Sequence, residues 1–393
     1  MFWFDIFRFS FAAVFVVLHC ALWSGLLREW LRDRRFILPE SLRPEPDRPV
    51  PDSAGERPLV SVIVPIRNEE RRIEGLLRSL ALQDYPNAEY IFIDDCSTDR
   101  SPEFMRRFAE TKPGVKIITL TENTGVNKKQ YALCRGTEAA AGTLLLFTDA
   151  DCEVPSHWIQ AMAARMDDPR TGLVIGPVFK KGGGRGFFQH YQCFDHAIRY
   201  LYLTGATGIG AASGGFGNNL IVRKAALDRI GGYGRVPPSP TEDAALVSMI
   251  RGNTDYTVYA AVKPDLWVTT RGERSWKPLI NQTLRWNNGG LFSPDPLTTL
   301  NFRFLMVTIS MGIIAIPFLP FSPGLWPLPA AVLFSMTMNT LACFALFGAA
   351  LPGPPILIPI QIIFTPAYFT FLTIIGFCGV KADWKGVPVK KGP

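Results

Sequence analysis

Between Leu59 and Asp151 the apolar positions switch period repeatedly. "LVSVIVPI", "EYIFIDD", "VKIITL" and "TLLLFTDAD" are short runs rich in β-branched and aromatic residues, which read as buried strands. Between them "EERRIEGLLRSLALQ", "SPEFMRRFAE" and "NKKQYALCRGTEAA" space their apolar residues three and four apart, as amphipathic helices do. Strand, helix and strand in succession predict right-handed crossovers and an α/β fold with a Rossmann-like, mostly parallel sheet covered by helices on both faces. Ligands of such sheets sit beyond the carboxyl ends of the strands.

The two ends of the chain lack this alternation. Phe9 to Leu27 is uncharged, long enough to cross a bilayer, and followed by Arg28, Arg32, Arg34 and Arg35. The apolar core is too long for a cleaved signal peptide, and no small-residue cleavage site follows it, so an uncleaved anchor with the arginines in the cytoplasm is expected. No Asp, Glu, Lys or Arg occurs between Arg303 and Lys381, and proline-rich breaks at Pro317 to Pro329 and Leu351 to Pro355 divide that stretch into apolar segments. Three full crossings would put the basic tail outside against its charge, so one segment is expected to be re-entrant or interfacial. The expected organisation is an anchor with a basic flank (1–37), a proline-rich linker (38–57), a cytoplasmic catalytic domain (58–300), membrane segments (301–380) and a basic tail (381–393). The expected location is a bacterial inner (cell) membrane.

Composition agrees. A hydrophobic fraction of 48% with mean hydropathy +0.13 reflects the two apolar ends. The net charge of +7 suits anionic headgroups and a phosphorylated substrate. The basic residues are spread without a nucleic-acid reader motif, so no nucleic-acid partner is expected. Seven cysteines without C-x-x-C suggest neither a disulfide frame nor a zinc site.

Chemistry concentrates at the ends of the strand-like runs. The first ends in Pro65, Arg67, Asn68 and Glu69, the second in Asp94, Asp95, Ser97 and Asp99, and the fourth in Asp149 and Asp151. Each group alone could be a turn, since Asp commonly leaves strands this way. Delivered to one sheet edge, all three favour a site for a nucleotide and a divalent cation. Hard carboxylate oxygens without nearby His or Cys suit Mg2+ or Mn2+ rather than zinc.

"SVIVPIRNEE", "IFIDDCSTD", "TDAD", "GGFGNNLIVRKAAL", "TEDAAL" and "QTLRW" stand in the order and at the spacing of membrane-embedded family 2 glycosyltransferases, which this chain resembles over about residues 58 to 290. The apolar flanks are similar to those of the branch that holds polysaccharide synthases and glycolipid-forming transferases. The resemblance implies a nucleotide-diphospho-sugar transferase domain of the glycosyltransferase A fold flanked by transmembrane helices. It implies metal-dependent, inverting transfer from a nucleotide-sugar, UDP-linked by expectation, to a lipid or saccharide acceptor. By this resemblance Asp151 is the direct metal ligand and Asp149 lies near metal and ribose. Asp94 and Asp95 meet the base beside the Pro65 to Glu69 loop, and Lys129, with Lys128 beside it, stands close to the nucleotide or is a solvated helix start. Asp243 is the implied base, with Glu242 beside it on a first turn where acids are also favoured by the helix dipole.

Gln282 and Arg285 share a helical face with Trp286 adjacent, which suits a diphosphate clamp and a sugar platform, or an interfacial helix whose Arg and Trp sit at headgroups. "SGGFGNN" is expected to form an acceptor-side loop where backbone approaches a ligand. "KKGGGRG" (Lys180 to Gly186) reads as a flexible connection, lacking the Lys-Ser or Lys-Thr of a phosphate loop. His190 and His196 read as packing or interfacial residues rather than ligands, and Cys96 and Cys152 as small buried hydrophobes. A single transfer to a lipid or lipid-linked acceptor is the leading expectation, a processive polysaccharide synthase the alternative, and a silent sugar-nucleotide binding protein a second. The intact "TED" and "QTLRW" count against silence.

Overall fold

The computed structural model describes residues 2–36, 57–181, 186–351, 356–380, 382–384 and 387–388. The linker expected at 38–57, except its last residue, lies outside the described residues, as do the glycines at 182–184 and most of the basic tail.

The alternating region folds as its periods predict. After helix α1 (Phe2–Asp33) the chain runs β1 (Val60–Ile66), α2 (Ile73–Ala81), β2 (Ala88–Asp95), α3 (Ser101–Thr111), β3 (Val115–Leu120), α4 (Lys128–Ala139) and β4 (Leu144–Phe147). These four strands are mutually parallel in the order β3-β2-β1-β4, with Ile63 facing Ile91 on one side and Phe147 on the other. Strand β4 reads LLLF because both of its faces are covered, and all four residues are buried. β5 (Cys152–Glu153), α5 (Trp158–Ala164), β6 (Thr171–Ile175), β7 (Val178–Lys181), α6 (Phe187–Gly208), β8 (Leu220–Arg223), α7 (Lys224–Arg229), α8 (Glu242–Asn253), β9 (Thr257–Ala260), β10 (Val268–Arg271) and α9 (Trp276–Leu291) follow. The main sheet continues β4-β8-β6-β9, with β8 antiparallel to both neighbours. A second sheet, β5-β10-β7, lies just beyond Asp151. Lys180 and Lys181, expected in a flexible connection, belong to β7 and pair with Thr270 and Arg271.

Among the described residues, four helices are long and apolar enough to cross a membrane: Arg8–Asp33 within α1, Pro296–Phe318, Pro323–Ala350 and Leu357–Phe377. The last three contain α10 (Pro296–Ala315), α11 (Pro327–Phe347) and α12 (Leu357–Phe377); α10 ends before the first proline break read from the sequence, α11 begins within it, and α12 follows the second. Asp295 caps α10 by accepting from the Thr298 N–H at 2.9 Å, with Pro296 at the first helical position where no N–H is needed.

Helix α1 and the sheet are one structure. Fully buried Asp33 accepts from Arg165 Nε at 2.8 Å, from the Val262 and Lys263 N–H groups at 2.8 Å each, and from the Tyr259 hydroxyl. Glu29, one turn earlier, accepts from the Ala260 N–H at 2.8 Å. These carboxylates satisfy the backbone at the end of the edge strand β9, and every N–H they answer would otherwise be a cost. Further along, α1 lies directly on α6. A side chain at Gly208 would collide with the Gly25 carbonyl and one at Gly205 with the Leu22 carbonyl, so these glycines set the closeness of the helices.

Candidate active site

Parallel strands bring the predicted polar groups to one sheet edge. After β1, Asn68 adopts a left-handed backbone (φ 54°), and Cys96 does the same after β2. The two turns latch together: Asn68 accepts from the Thr98 N–H at 2.8 Å, Ser97 from the Asn68 N–H at 3.2 Å, and Ser101 from the Glu69 N–H at 2.8 Å. Asp94 and Asp95 are nearly sealed, 3% and 2% exposed. Asp94 accepts from the Ser97 N–H at 3.0 Å, while Asp95 accepts from Asn123 at 2.5 Å and from Arg67 at 3.4 Å. Pro65 sits in register with Ile93 and lies past the last paired residue of β1 with β4, Ile63.

Beyond β4 the second pair of carboxylates meets cations. Lys129, on the first turn of α4, reaches Asp149 at 2.8 Å and Glu242 at 3.4 Å. Burial opposes its charge, but Asp149 and Glu242 outweigh that and hold the ammonium above the ordinary lysine value. Arg72 contacts Asp151 at 3.3 Å and Glu69 at 2.7 Å. Lys128 turns away, its ammonium donating to the Asn123 carbonyl. Glu242 and Asp243 open α8, and Asp243 accepts from the Gly217 N–H at 2.7 Å and the Ala244 N–H at 2.8 Å. Burial and then the charge of Glu242 push the Asp243 carboxyl up to about 6, against the pull of Lys129 and the two N–H donors. Gly215 and Gly217 back directly onto Asp243, where an added Cβ would lie 3.3 and 3.1 Å away. The glycines of "SGGFGNN" thus let backbone close on this carboxylate.

Helix α9 completes the ring. Arg285 donates to the Pro240 carbonyl at 2.6 Å, tying α9 to the segment before α8. Gln282 Oε1 is buried without a hydrogen-bond partner. The Trp286 ring meets His196 edge-on at 5.1 Å and carries the Arg199 guanidinium 5.6 Å from its centre.

A cavity of about 320 Å3 joins these groups. Lys129, Asp149, Asp151, Glu242, Asp243, Gln282, Arg285 and Trp286 line it, whereas Pro65, Arg67, Asn68, Glu69, Asp94 and Asp95 stand at the neighbouring strand ends outside its wall. From the carboxylates it runs between helices: Leu18 and Leu22 of α1, Tyr202, Leu203 and Ala206 of α6, Phe302, Leu305 and Met306 of α10, and Phe369 of α12. Sequence reading missed Arg72, Lys180 and Arg199, and took His196 for a packing or interfacial residue, although it lines the cavity. No local signal marks these residues, because tertiary contact alone brings them to the site. Cys152 is buried, as expected, and Cys96 is partly exposed.

Residues 61–231 match the model of glycosyl transferase family 2. A β-monoglucosyldiacylglycerol synthase of Nostoc sp. is 25% identical over 241 residues, 60% of this chain and 50% of that protein. An N-acetylglucosaminyltransferase of Rhizobium meliloti is 28% identical over 239 residues, covering 58% of this chain and 55% of the relative. The chain spans about half the length of the curated relatives it matches. A mannosyltransferase from Pyrobaculum calidifontis, solved in complex with GDP-Man and Mn2+, superposes with TM-score 0.52 at 22% identity over 94% of this chain and 99% of that one, a likeness of fold. With the mostly parallel sheet and the strand-end carboxylates already in view, residues 61–231 are similar to glycosyl transferase family 2, in a domain that has the glycosyltransferase A fold and stands, among the described residues, beside four apolar helices of membrane-spanning length.

Proposed function

We propose that the protein is an integral membrane, inverting glycosyltransferase that moves a sugar from a nucleotide-diphospho-sugar, with UDP as the expected nucleotide, to a hydroxyl of a lipid or lipid-linked acceptor, its catalytic domain on the cytoplasmic side. The observation that carries the acceptor half is the single cavity, polar at Asp149, Asp151 and Asp243 and apolar where it passes between α1, α6, α10 and α12. A soluble acceptor has no need of that second half, whereas a lipid leaves its chains there and presents its headgroup to the carboxylates.

In this reading Asp94, Asp95 and the Pro65 to Glu69 loop receive the nucleoside, and Lys129, Arg72 and Arg285 stand ready for the diphosphate. Asp243 takes the proton from the acceptor hydroxyl, the oxygen forms a bond to the anomeric carbon from the face opposite the leaving group, and the bond to the diphosphate breaks with its electron pair on the nucleoside diphosphate. Gln282 offers its unpartnered oxygen to a sugar hydroxyl, and Trp286 its ring to the sugar face.

The donor set fits a hard divalent cation. Asp149 and Asp151 present carboxylate oxygens one residue apart, and among the described residues no cluster of three or more His, Cys, Asp or Glu completes a protein cage. Mg2+ or Mn2+ held by one or two carboxylates normally takes its remaining ligands from phosphate and water. Such an ion supplies charge neutralisation for the departing diphosphate.

The test is incubation of purified protein in lipid with a panel of nucleotide-sugars, followed by mass spectrometry of the products. A lipid carrying one added hexose or N-acetylhexosamine supports the reading. A water-soluble polymer, or no transfer with any donor, overturns it.

A further inference from the structure

Resting on the acceptor reading above, one group in the cavity is left without an occupation. On the carboxylate side, the cations are answered: Lys129 by Asp149 and Glu242, Arg72 by Asp151 and Glu69, Arg67 by Asp95. Lys180 is not. It lines the cavity, its residue is only 5% exposed, and among the described residues its ammonium makes no hydrogen bond and no ion pair. Burial lowers its proton affinity, with Asp151, Glu273 and Asp195 acting only at longer range. An uncompensated buried ammonium is costly, and natural interiors keep one where a ligand answers it.

Its surroundings point the same way. Strand β7, which carries Lys180, packs on α6 through the Cys193 thiol, which donates to the Lys180 carbonyl at 3.1 Å, and through His196 Nδ1, 3.3 Å from the Val178 carbonyl. On α6, His196 Nε2 and Arg199 Nη2 are both buried without a partner, although both residues line the same cavity. Arg199 is held by Asp195 at 2.8 Å through its Nε and lies against Trp286 and Phe369. Two donors without acceptors, the Lys180 ammonium and Arg199 Nη2, therefore gather where the polar end of the cavity meets α6, the wall that leads between the apolar helices.

We propose that Lys180, with Arg199 beside it, seats a phosphate group of the acceptor, so that the lipid glycosylated here carries a phosphate near its reacting hydroxyl. A neutral headgroup would leave both cationic donors unanswered. The same phosphate chemistry could come from the donor diphosphate, and the experiment separates the two sources.

Labelled nucleotide-sugar is supplied to membranes carrying the protein and its own acceptors, and the labelled lipid is run on an anion exchanger before and after phosphoester hydrolysis. Retention that disappears on hydrolysis is expected. In parallel, Lys180→Met and the charge-preserving Lys180→Arg are compared with the parent for transfer against membrane acceptor and for binding of UDP and GDP with Mn2+. Loss of one charge-assisted contact should raise the acceptor requirement of Lys180→Met roughly tenfold, with Lys180→Arg largely restoring it and nucleotide affinity unmoved. Nucleotide binding also reports that the variant is folded. A labelled lipid that elutes as neutral overturns the proposal while leaving lipid glycosylation standing. So does a Lys180→Met defect confined to nucleotide binding, which assigns Lys180 to the donor. No labelled lipid at all would instead sink the acceptor reading beneath it.

Discussion

The two ends of the one cavity manage charge in opposite ways. At the strand ends carboxylates and cations interleave, Asp149 with Lys129 and Asp151 with Arg72, so the site is polar yet internally matched. Between the helices the walls are Leu18, Leu22, Leu203, Leu305 and Met306, and the charged groups at the boundary, Lys180 and Arg199, have donors to spare. A matched site can exchange its internal partners for a charged ligand without leaving any group stranded, as a diphosphate with its cation requires. A site with surplus donors on an apolar wall is built for one polar group at the head of a long apolar body.

Removing the carboxylate end should have the largest effect. Asp151→Ala, or excess chelator on the parent, is expected to lower transfer by roughly a thousandfold or more, since charge stabilisation of the leaving group is among the largest single contributions to such reactions. Thermal unfolding should hardly change, because Asp151 is partly exposed and its pair with Arg72 is of the weak surface kind. Unchanged transfer in excess EDTA would break the donor-side half of the comparison.

Next is Asp243→Asn, which keeps shape and removes the proton acceptor. Transfer is expected to fall by roughly a hundredfold or more, with nucleotide binding retained. The parent's kcat/KM should decline below pH about 6 as Asp243 becomes protonated, and the variant should lose that limb. Stability should move oppositely. A carboxyl raised in the folded state favours folding below its unfolded value and loses that contribution as pH rises through about 6, so Asn is expected to match or exceed the parent's Tm at pH 7. Near-normal transfer by the variant would shift the base elsewhere, with Glu242 the first place to look.

At the other end, Gly208→Leu should push α1 from α6, since the glycine lies against the Gly25 carbonyl. Overpacking of this kind costs about 1–3 kcal/mol. Unfolding in detergent should come earlier and the acceptor requirement should rise, while nucleotide binding stays as in the parent. Equal loss of nucleotide binding would mean that the two ends are not separable.

Which parts of this were legible beforehand follows from how local their causes are. β1 to β4 and their helices are written in period, and the six motifs mark the strand ends, the first turn of α8 and the middle of α9, so Asp149, Asp151, Asp243 and Arg285 could be named from sequence. Arg72 was not, because it reaches Asp151 only after β1 and β4 pair. The N-terminal segment was read by its arginines, whereas Glu29 and Asp33, which satisfy backbone N–H groups around the end of β9, dock α1 to the domain. Nothing in a window around Asp33 announces Val262. Lys180 looked like the start of a flexible glycine stretch, and its place in β7 depends on pairing with β10, some ninety residues later.

The smallest effect is expected at the boundary itself, from Trp286→Leu. The ring lines the cavity, edge-on to His196 and under Arg199, which favours a platform for sugar or acceptor over a membrane anchor. Interfacial duty has other candidates, since Phe292 carries the Arg303 guanidinium at 5.6 Å and packs edge-on to Phe377. Leucine keeps apolar bulk but loses the flat face, a change worth about 1 kcal/mol, so the acceptor concentration needed for half-maximal transfer should rise about fivefold. Seating in lipid should stay as in the parent, measured by protease protection of the membrane segments. Superimposable transfer curves for the two proteins in the same lipid would remove Trp286 from the acceptor path and leave it as support for Arg199. A shifted curve with unchanged nucleotide affinity would place the handover between the two ends of the cavity at this ring.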